Sequence, residues 1–205
     1  MNAAIILEKV SKYGVLEHYD LIVRSGERVL LRSNNTAILN IAAGMEKPDG
    51  GAVILLGTKI SDLPEREAAA FRNSRIGYAG QDADLFHTLT VLENTALYLT
   101  IRGTSRYKRA SAAREVLTLL GLSSVMHNYP NTLSLSQRRR SILARALVAE
   151  PEILLLGSLF TGLRESEAAE LADYVNITFE RGGFTMLICS AEVPSKLNLD
   201  REEMV

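Results

Sequence analysis

Several features that would mark a particular class of protein are missing from this sequence of 205 residues. It has no tryptophan and one cysteine, Cys189, so no disulfide can form within the chain. Because Cys189 ends an apolar run at 185–189, the sequence predicts a buried strand thiol rather than a nucleophile or a metal ligand. No stretch reaches the roughly 18 apolar residues of a membrane-spanning helix, and no basic region followed by an apolar run opens the chain. We therefore expect a soluble protein of the cytosol.

An excess of either charge is also missing, since 23 basic residues accompany 24 acidic ones. This balance gives no overall electrostatic reason to expect nucleic acid or an anionic membrane as a partner, so we expect recognition by shape. His87 is one of three histidines and has no cysteine or histidine near it in sequence, which predicts a surface or interface position and no metal site. The sequence does have 47% hydrophobic residues, enough for the core of one α/β domain with or without a small inserted lobe.

Apolar runs and turn signals alternate along the chain in the order of a nucleotide-binding α/β fold. Strands are predicted at 4–10, 20–23, 28–31, 51–56, 76–79, 151–156 and 184–189. Helices are predicted at 36–43, 91–120 with a break at 103–105, 133–149 and 166–181. The runs at 29–31, 153–156 and 186–188 are continuously apolar, which favours a parallel sheet covered on both faces.

The most specific residues lie between positions 133 and 156. They read Leu133-Ser134-Leu135-Ser136-Gln137, then Leu143-Ala144-Arg145-Ala146-Leu147, then Glu150-Pro151-Glu152-Ile153-Leu154-Leu155-Leu156. These segments resemble the signature helix and the Walker B strand of ABC-type ATPases, while 76–81 and 89–94 resemble the Q-loop and the start of the family's helical lobe. The likeness covers about residues 5–195 and is similar to the lipoprotein-release and macrolide-efflux branch.

The resemblance implies a P-loop NTPase-like ABC cassette. Its α/β fold would have a mostly parallel core sheet, an antiparallel β part at the N-terminal side and a helical lobe at about 88–145, all within a single domain over 1–205. It also implies a membrane permease as partner and a homologous cassette subunit as the other half of a homodimer or heterodimer. Such a protein is cytoplasmic and is held at the inner face of the membrane through its permease.

The signature segment of this chain departs mildly from the family. Ser134 and Gln137 have the S-x-x-Q spacing of a capping box, in which side chains satisfy backbone N–H groups at a helix start, so the helix is expected to form. Leu135 and Ser136 stand where the family has two glycines. The Leu135 side chain would crowd the close approach that glycine permits.

The phosphate loop departs much further. The motif G-x-x-x-x-G-K-[ST] surrounds phosphates with backbone N–H groups, and its lysine neutralises their charge. Alignment on 40–44 places Asn35 where lysine belongs and Thr36 at the hydroxyl position. Only residues 28–34 separate Glu27 from Asn35, where the family pattern has about eleven residues, so the loop itself is missing.

Four further positions lack the family's functional side chains. Gly157 and Ser158 follow the Walker B strand, where an aspartate positions magnesium and a glutamate polarises the attacking water. Arg164 stands where the D-loop has aspartate, and Ala191 stands where the switch histidine belongs. The resemblance therefore implies no catalytic residue and no tightly bound ATP or magnesium, the ligands of the parent family.

Two groups of family positions keep suitable residues. Tyr13 and Gln81, with Asn35 and Thr36, are the candidates for residual contact with a nucleotide, Tyr13 by stacking on adenine. The resemblance places a permease-binding groove at Gln81 and at the three residues Asp84, Leu85 and Phe86. Burial of Leu85 and Phe86 against a partner helix would need no nucleotide.

Four functions stay open from the sequence. The first is a non-hydrolysing cassette subunit, structural or regulatory, docked on a permease. The second is a heterodimer partner that gives an active ATPase a weakened signature helix. The third is a weak ATPase with an unorthodox phosphate site at Arg32, Asn34, Asn35 and Thr36. The fourth is a soluble scaffold without a membrane partner.

Overall fold

The computed structural model describes residues 2–33, 35, 37–80 and 83–205. Its strands are β1 Ala3–Lys12, β2 Leu16–Arg24, β3 Arg28–Arg32, β4 Gly50–Leu55, β5 Thr58–Lys59, β6 Ile76–Ala79, β7 Ile153–Gly157, β8 Thr185–Cys189 and β9 Arg201–Met204. Its α-helices are α1 Ala37–Ala42, α2 Glu65–Arg75, α3 Val91–Thr95, α4 Leu97–Ile101, α5 Arg106–Leu119, α6 Leu135–Leu147 and α7 Glu165–Gly182. Short 3-10 turns occupy Ile60–Asp62, Ser123–Val125 and Pro130–Thr132.

The first sheet is antiparallel and has the strand order β2-β1-β4-β5. Its inner face buries alternate apolar residues such as Ile5 and Leu7. A bulge between β1 and β4 brings Gly51 against the chain at φ +84°, and a Cβ there would lie 2.4 Å from the Glu8 carbonyl oxygen. Only glycine therefore fits this position.

The second sheet is parallel, with the order β6-β7-β8-β3-β9. Every residue of β7 and β8 is buried, because helices and the first sheet cover both faces. The predicted parallel core sheet and the antiparallel part at the N-terminal side are confirmed.

Helices α3 and α5 pack against α6, α4 packs against α3 and α5, and α6 packs against β6. Gly77 allows this close packing, since a Cβ on it would meet the Ala146 carbonyl oxygen of α6 at 2.4 Å. The predicted break in the helical stretch is present, because α4 ends at Ile101 and α5 begins at Arg106. The boundary of the lobe at about 88–145 stays a prediction.

Three elements have no counterpart in the sequence prediction. Helix α2 buries only Ala68, so it carries no apolar periodicity that a sequence can reveal. Strand β9 reads Arg-Glu-Glu-Met and is held by its pairing with β3 and by ion pairs from Arg201. Strand β5 has two residues. None of the described helices is both long enough and apolar enough to cross a membrane.

Candidate functional site

Strands β3, β7 and β8 are neighbours in the parallel sheet and end at the same edge, where open α/β sheets bind ligands. Short backbone contacts join the three ends. The Ser190 N–H donates to the Leu31 carbonyl oxygen at 3.1 Å, and the Ser158 N–H donates to the Cys189 carbonyl oxygen at 3.1 Å. The structure thereby brings four of the sequence-predicted positions together at this edge: Asn35, Gly157, Ser158 and Ala191.

The connection from β3 to α1 is short. Strand β3 ends at Arg32 and α1 begins at Ala37, so residues 33–36 span the gap. Asn35 is exposed, and its backbone N–H donates to Ser33 Oγ at 3.0 Å while its Oδ1 accepts from the Ala37 N–H at 3.1 Å. The Asn35 amide oxygen thus binds the first turn of α1. Asn34 and Thr36 lie outside the described residues.

Arg32 has an ionic partner at this edge. Its Nε lies 2.8 Å from Glu202 Oε2 on β9, and its Nη1 donates to the Ala191 carbonyl oxygen at 3.1 Å. The Arg32 guanidinium is therefore already paired with the Glu202 carboxylate, whereas a weak ATPase with an unorthodox phosphate site would need it to bind phosphate. The same contacts fasten the segment after β8 to the end of β3.

The end of β7 carries no carboxylate. Gly157 is buried and pairs with Cys189, while Ser158 adopts the left-handed conformation at φ +51°. Ser158 borders a cleft of about 400 Å³ that also has Ala191, Glu165 and Glu192 on its walls. Among the described residues, no group of three or more His, Cys, Asp or Glu side chains is placed to hold a metal ion.

The Cys189 thiol is buried within the core, as the sequence predicts. Burial disfavours the thiolate and raises the pKa of Cys189 to about 11. Its Sγ lies 3.5 Å from the Asn35 carbonyl oxygen. The thiol stays protonated near neutral pH and is no nucleophile.

The predicted capping box at the start of α6 is confirmed. Ser134 Oγ accepts from the Gln137 N–H at 3.2 Å, and Gln137 Oε1 accepts from the Ser134 N–H at 3.0 Å. Ser136 is buried, whereas Leu135 is partly exposed and lies against Gly162 in the loop that follows β7. A leucine side chain therefore covers the surface at this helix start.

Arg164 stands at the start of α7 with its side chain in solvent. Its guanidinium lies 2.8 Å from Glu167, and its backbone N–H also donates to that carboxylate at 3.1 Å. These hydrogen bonds lower the pKa of Glu167 to about 2. Arg164 thus takes part in a local helix cap.

Tyr13 lies in the turn after β1 and is 97% exposed. Its backbone N–H donates to Asp49 Oδ2 at 2.9 Å, and the neighbouring Lys12 pairs with Glu46 at 3.1 Å and with Asp49. The turn is therefore fixed while the ring stays open to solvent. Whether the ring stacks on a nucleotide stays a prediction.

A groove of about 620 Å³ lies between the β6–α3 loop and the helices, and Phe86 is on its wall. Phe86 is 55% exposed, and Met45 and Ile101 add further exposed apolar surface. The loop backbone is rigid here, because the fully buried Asn94 accepts from the Phe86 N–H at 2.8 Å and donates to the Phe86 carbonyl oxygen at 3.0 Å. Phe86 is thus presented to solvent from a fixed position.

The other predicted groove residues differ from Phe86. Leu85 is only 3% exposed and belongs to the main core, so the expectation that it packs on a partner is corrected: its side chain points inward. Asp84 borders the groove, with its carboxylate 3.7 Å from His87, whose predicted surface position is confirmed. Gln81 lies outside the described residues.

Sequence reasoning missed Arg145 at this groove. Its Nη1 donates to the Asp84 carbonyl oxygen at 2.8 Å, whereas its Nε is buried and has no hydrogen-bond partner in the described structure. A basic residue at a helix position that otherwise reads as core, within Leu143-Ala144-Arg145-Ala146-Leu147, is the signal that could have found it. The groove therefore has apolar walls, Glu46 and Asp84 among its lining residues, and the largely buried guanidinium of Arg145.

Comparisons with known proteins agree on one family. The family model described as "ABC transporter" matches residues 16–158. The lipoprotein-releasing system ATP-binding protein LolD of Chromohalobacter salexigens is 34% identical over 161 residues, which are 77% of this chain and 68% of that protein. LolD of Syntrophotalea carbinolica is 31% identical over 191 residues, 91% of this chain and 84% of the relative.

One solved structure supports the same family assignment. The bacterial ABC transporter cassette MJ0796, solved as a dimer, superposes with a TM-score of 0.84 at 27% identity, over 92% of this chain and 88% of that one. This likeness confirms the fold that the sequence predicts.

Proposed function

This chain belongs to the ABC transporter family of ATP-binding cassettes, and from that premise we propose that it docks on a membrane permease without hydrolysing ATP. The single observation that carries the proposal is the connection from β3 to α1, which has room for residues 33–36 only. A phosphate loop needs the eight residues of its motif between these elements, about twice as many.

Loss of this loop has an estimable cost in affinity. Each charge-assisted hydrogen bond contributes about 1.5–3 kcal/mol, so loss of three costs about 5 kcal/mol or more. At about 1.4 kcal/mol per decade, nucleotide affinity falls by about a thousandfold or more. The guanidinium of Arg32 gives little compensation because Glu202 already neutralises it.

Hydrolysis would also need carboxylates that the β7 end does not provide. Gly157 and Ser158 neither coordinate magnesium as an aspartate does nor accept a proton from water as a glutamate does. The segment after β8 offers Ala191 instead of a histidine, and its carbonyl oxygen is bound to Arg32. We therefore assign the chain a structural or regulatory role rather than an enzymatic one.

The groove beside Phe86 supports the docking part of the proposal. Exposed apolar residues on a rigid wall suit the apolar face of an amphipathic helix, the way in which many grooves bind helical partners. Since the related cassette MJ0796 is a dimer, we also propose that a second cassette subunit pairs with this chain.

Native co-purification tests the docking. The tagged chain is extracted with its complex from membranes in mild detergent, and its partners are identified by mass spectrometry. We expect a permease with the wild type and none with Phe86→Asp. The matched control is Ile22→Asp, which changes an equally exposed apolar residue on β2 and should leave the complex intact. Normal assembly of the folded Phe86→Asp variant would refute the docking site.

Calorimetry with magnesium and ATP tests the proposed loss of tight nucleotide binding. We expect no binding in the micromolar range by the purified chain. A micromolar dissociation constant, or ATP turnover by the chain alone, would instead support the third candidate, the unorthodox phosphate site.

A heterodimer with an active cassette is the second candidate function, and the preformed start of α6 favours it. The capping box keeps this helix start in place, where the family directs it at the phosphate of the partner subunit. Mixing this chain with an active homologous cassette should then raise ATP turnover, and Leu135→Gly should raise it further. Turnover that is unchanged by mixing excludes this candidate.

A further inference from the structure

Basic residues are concentrated in one segment of a chain whose net charge is −1. Residues 94–114 contain no aspartate or glutamate and five cationic side chains, which are Arg102, Arg106, Lys108, Arg109 and Arg114. The balance of charge over the whole molecule therefore hides a local excess. This excess lies on the turn between α4 and α5 and on the beginning of α5.

We name this surface the cationic tip, and it consists of Ile101, Arg102, Arg106, Tyr107, Lys108 and Arg109. Two large apolar side chains are exposed among the cations, because Tyr107 is 84% and Ile101 64% accessible. The guanidinium of Arg102 donates to the Asn73 and Ala149 carbonyl oxygens, and that of Arg109 donates to the Thr104 carbonyl oxygen at 3.1 Å. These neutral acceptors orient the two side chains and leave their charge uncompensated.

Carboxylates near the tip are few. Within the described part of the chain, no ion pair within 4 Å involves a cation of the tip. Glu93 interacts with Arg106, but its pKa is lowered first by the backbone and side-chain hydrogen bonds from Thr90 and only to a smaller extent by Arg106. The tip thus presents its positive charge to solvent.

The start of α5 is also unfavourable for a helix. Its first turn holds three cations and no acidic residue, and Ser105 makes no side-chain cap hydrogen bond. Positive charge at this end opposes the helix dipole. Helices α2 and α7 show the opposite arrangement, since both have two glutamates in the first turn, while the last turn has two arginines in α2 and one in α7. Helix α6 also begins without an acidic residue, so the distinctive feature of α5 is the three cations in its first turn.

We propose that the cationic tip binds the anionic surface of a lipid membrane, with Tyr107 and Ile101 entering the headgroup region. Aromatic side chains flanked by lysine and arginine suit this interface, and basic clusters are attracted to anionic lipids. Ile101 also borders the docking groove, so the membrane surface and the permease would meet this protein on adjoining faces. The orientation rests on the proposed function, but the lipid contact can be measured without it.

Vesicle co-sedimentation of the purified chain tests the proposal. Vesicles of phosphatidylcholine alone are compared with vesicles that also contain phosphatidylglycerol, at low and at high salt. We expect the wild type to bind only the anionic vesicles and to dissociate at high salt. The triple variant Arg106→Gln, Lys108→Gln, Arg109→Gln should lose about a hundredfold in binding, or about fivefold per charge. Tyr107→Ser should lose several-fold.

The control variant is Arg24→Gln, Arg66→Gln, Arg181→Gln, which removes three exposed cations that do not belong to the tip. It should bind as the wild type does. In the tip variant, relief of the repulsion with the helix dipole opposes the loss of the hydrogen bond from Arg109 to Thr104, so we expect a midpoint of thermal unfolding close to that of the wild type. Circular dichroism at the temperature of the binding assay checks that the variant is folded.

Equal binding to neutral vesicles, or equal losses in the two triple variants, would overturn the proposal. Capture of an acidic peptide or an oligonucleotide without any vesicle binding would overturn it as well. Because the assay contains neither permease nor nucleotide, its outcome is independent of whether the docking groove has been assigned correctly.

Discussion

Leu85 and Phe86 are neighbours in sequence, and the structure predicts opposite consequences for their truncation. Leu85 is 3% exposed within the main core, so Leu85→Ala leaves a cavity. Such a change costs about 2–5 kcal/mol of unfolding free energy. Phe86 is 55% exposed, and its backbone is held by Asn94 through bonds that do not involve the ring. Phe86→Ala should therefore cost about 1 kcal/mol or less.

Equilibrium urea denaturation measures both values. The midpoint should fall clearly for Leu85→Ala and little for Phe86→Ala, with the slope unchanged in each case. For permease association we expect the opposite ranking, with the larger loss in Phe86→Ala. Phe86→Ala should weaken it about tenfold or more, as expected for an aromatic anchor. Leu85→Ala should weaken it only to the extent that the chain unfolds.

Three results would refute this reasoning. Equal destabilisation by the two variants would mean that the loop has a different conformation. A stable Leu85→Ala variant that no longer binds the permease would restore Leu85 to the interface. Unimpaired association of Phe86→Ala would move the docking surface away from the groove.

Three further predictions concern single residues. Ser134→Ala should cost about 1 kcal/mol in urea denaturation because the capping box of α6 is lost, and Ser134→Thr should retain most of it. Hydrogen bonds from Arg28 lower the pKa of Asp200, so this carboxylate stabilises the fold above its ordinary pKa of 3.8 and the contribution is lost as the pH falls through its lower folded value. Asp200→Asn should therefore reduce the stability at neutral pH and flatten its loss in acid, as followed by circular dichroism. Cys189 should resist iodoacetamide at neutral pH until urea unfolds the chain, because the thiol is buried and protonated; labelling of the native protein would contradict this.

The sequence predicts the parts of the fold whose signals are local. The apolar run at 153–156 favoured a buried strand, which the structure has as β7, and the Ser134–Gln137 spacing predicted the cap of α6, although the helix was predicted from 133 and begins at Leu135. Strand β9 escaped prediction because its residues are polar and its place depends on Arg28 and Arg32, some 170 positions earlier in the chain. Such partners cannot be read from a local pattern.

The residues of the candidate site likewise fall into those that the sequence could predict and those that it could not. Positions such as Gly157 and Ala191 could be assigned by their order along the chain, because each lies within two residues of the end of a predicted strand. The inward turn of Leu85 could not, since adjacent apolar residues in a loop carry no period that distinguishes core from surface. Arg145 was missed because burial of a guanidinium depends on helices α3 to α6 as they assemble.

The position of β3 in the second sheet determines the order in which the two sheets can form. Strand β3 lies between β8 and β9, which are made some 150 residues later, whereas the antiparallel sheet needs only residues 3–59. On the ribosome the first sheet can assemble early. Strand β3 then has no pairing partner on either side, so its backbone groups stay unpaired and its apolar side chains stay exposed. Non-local strand pairing is slow and leaves hydrophobic surface exposed to aggregation. We therefore expect nascent chains shorter than about 190 residues to depend on chaperones.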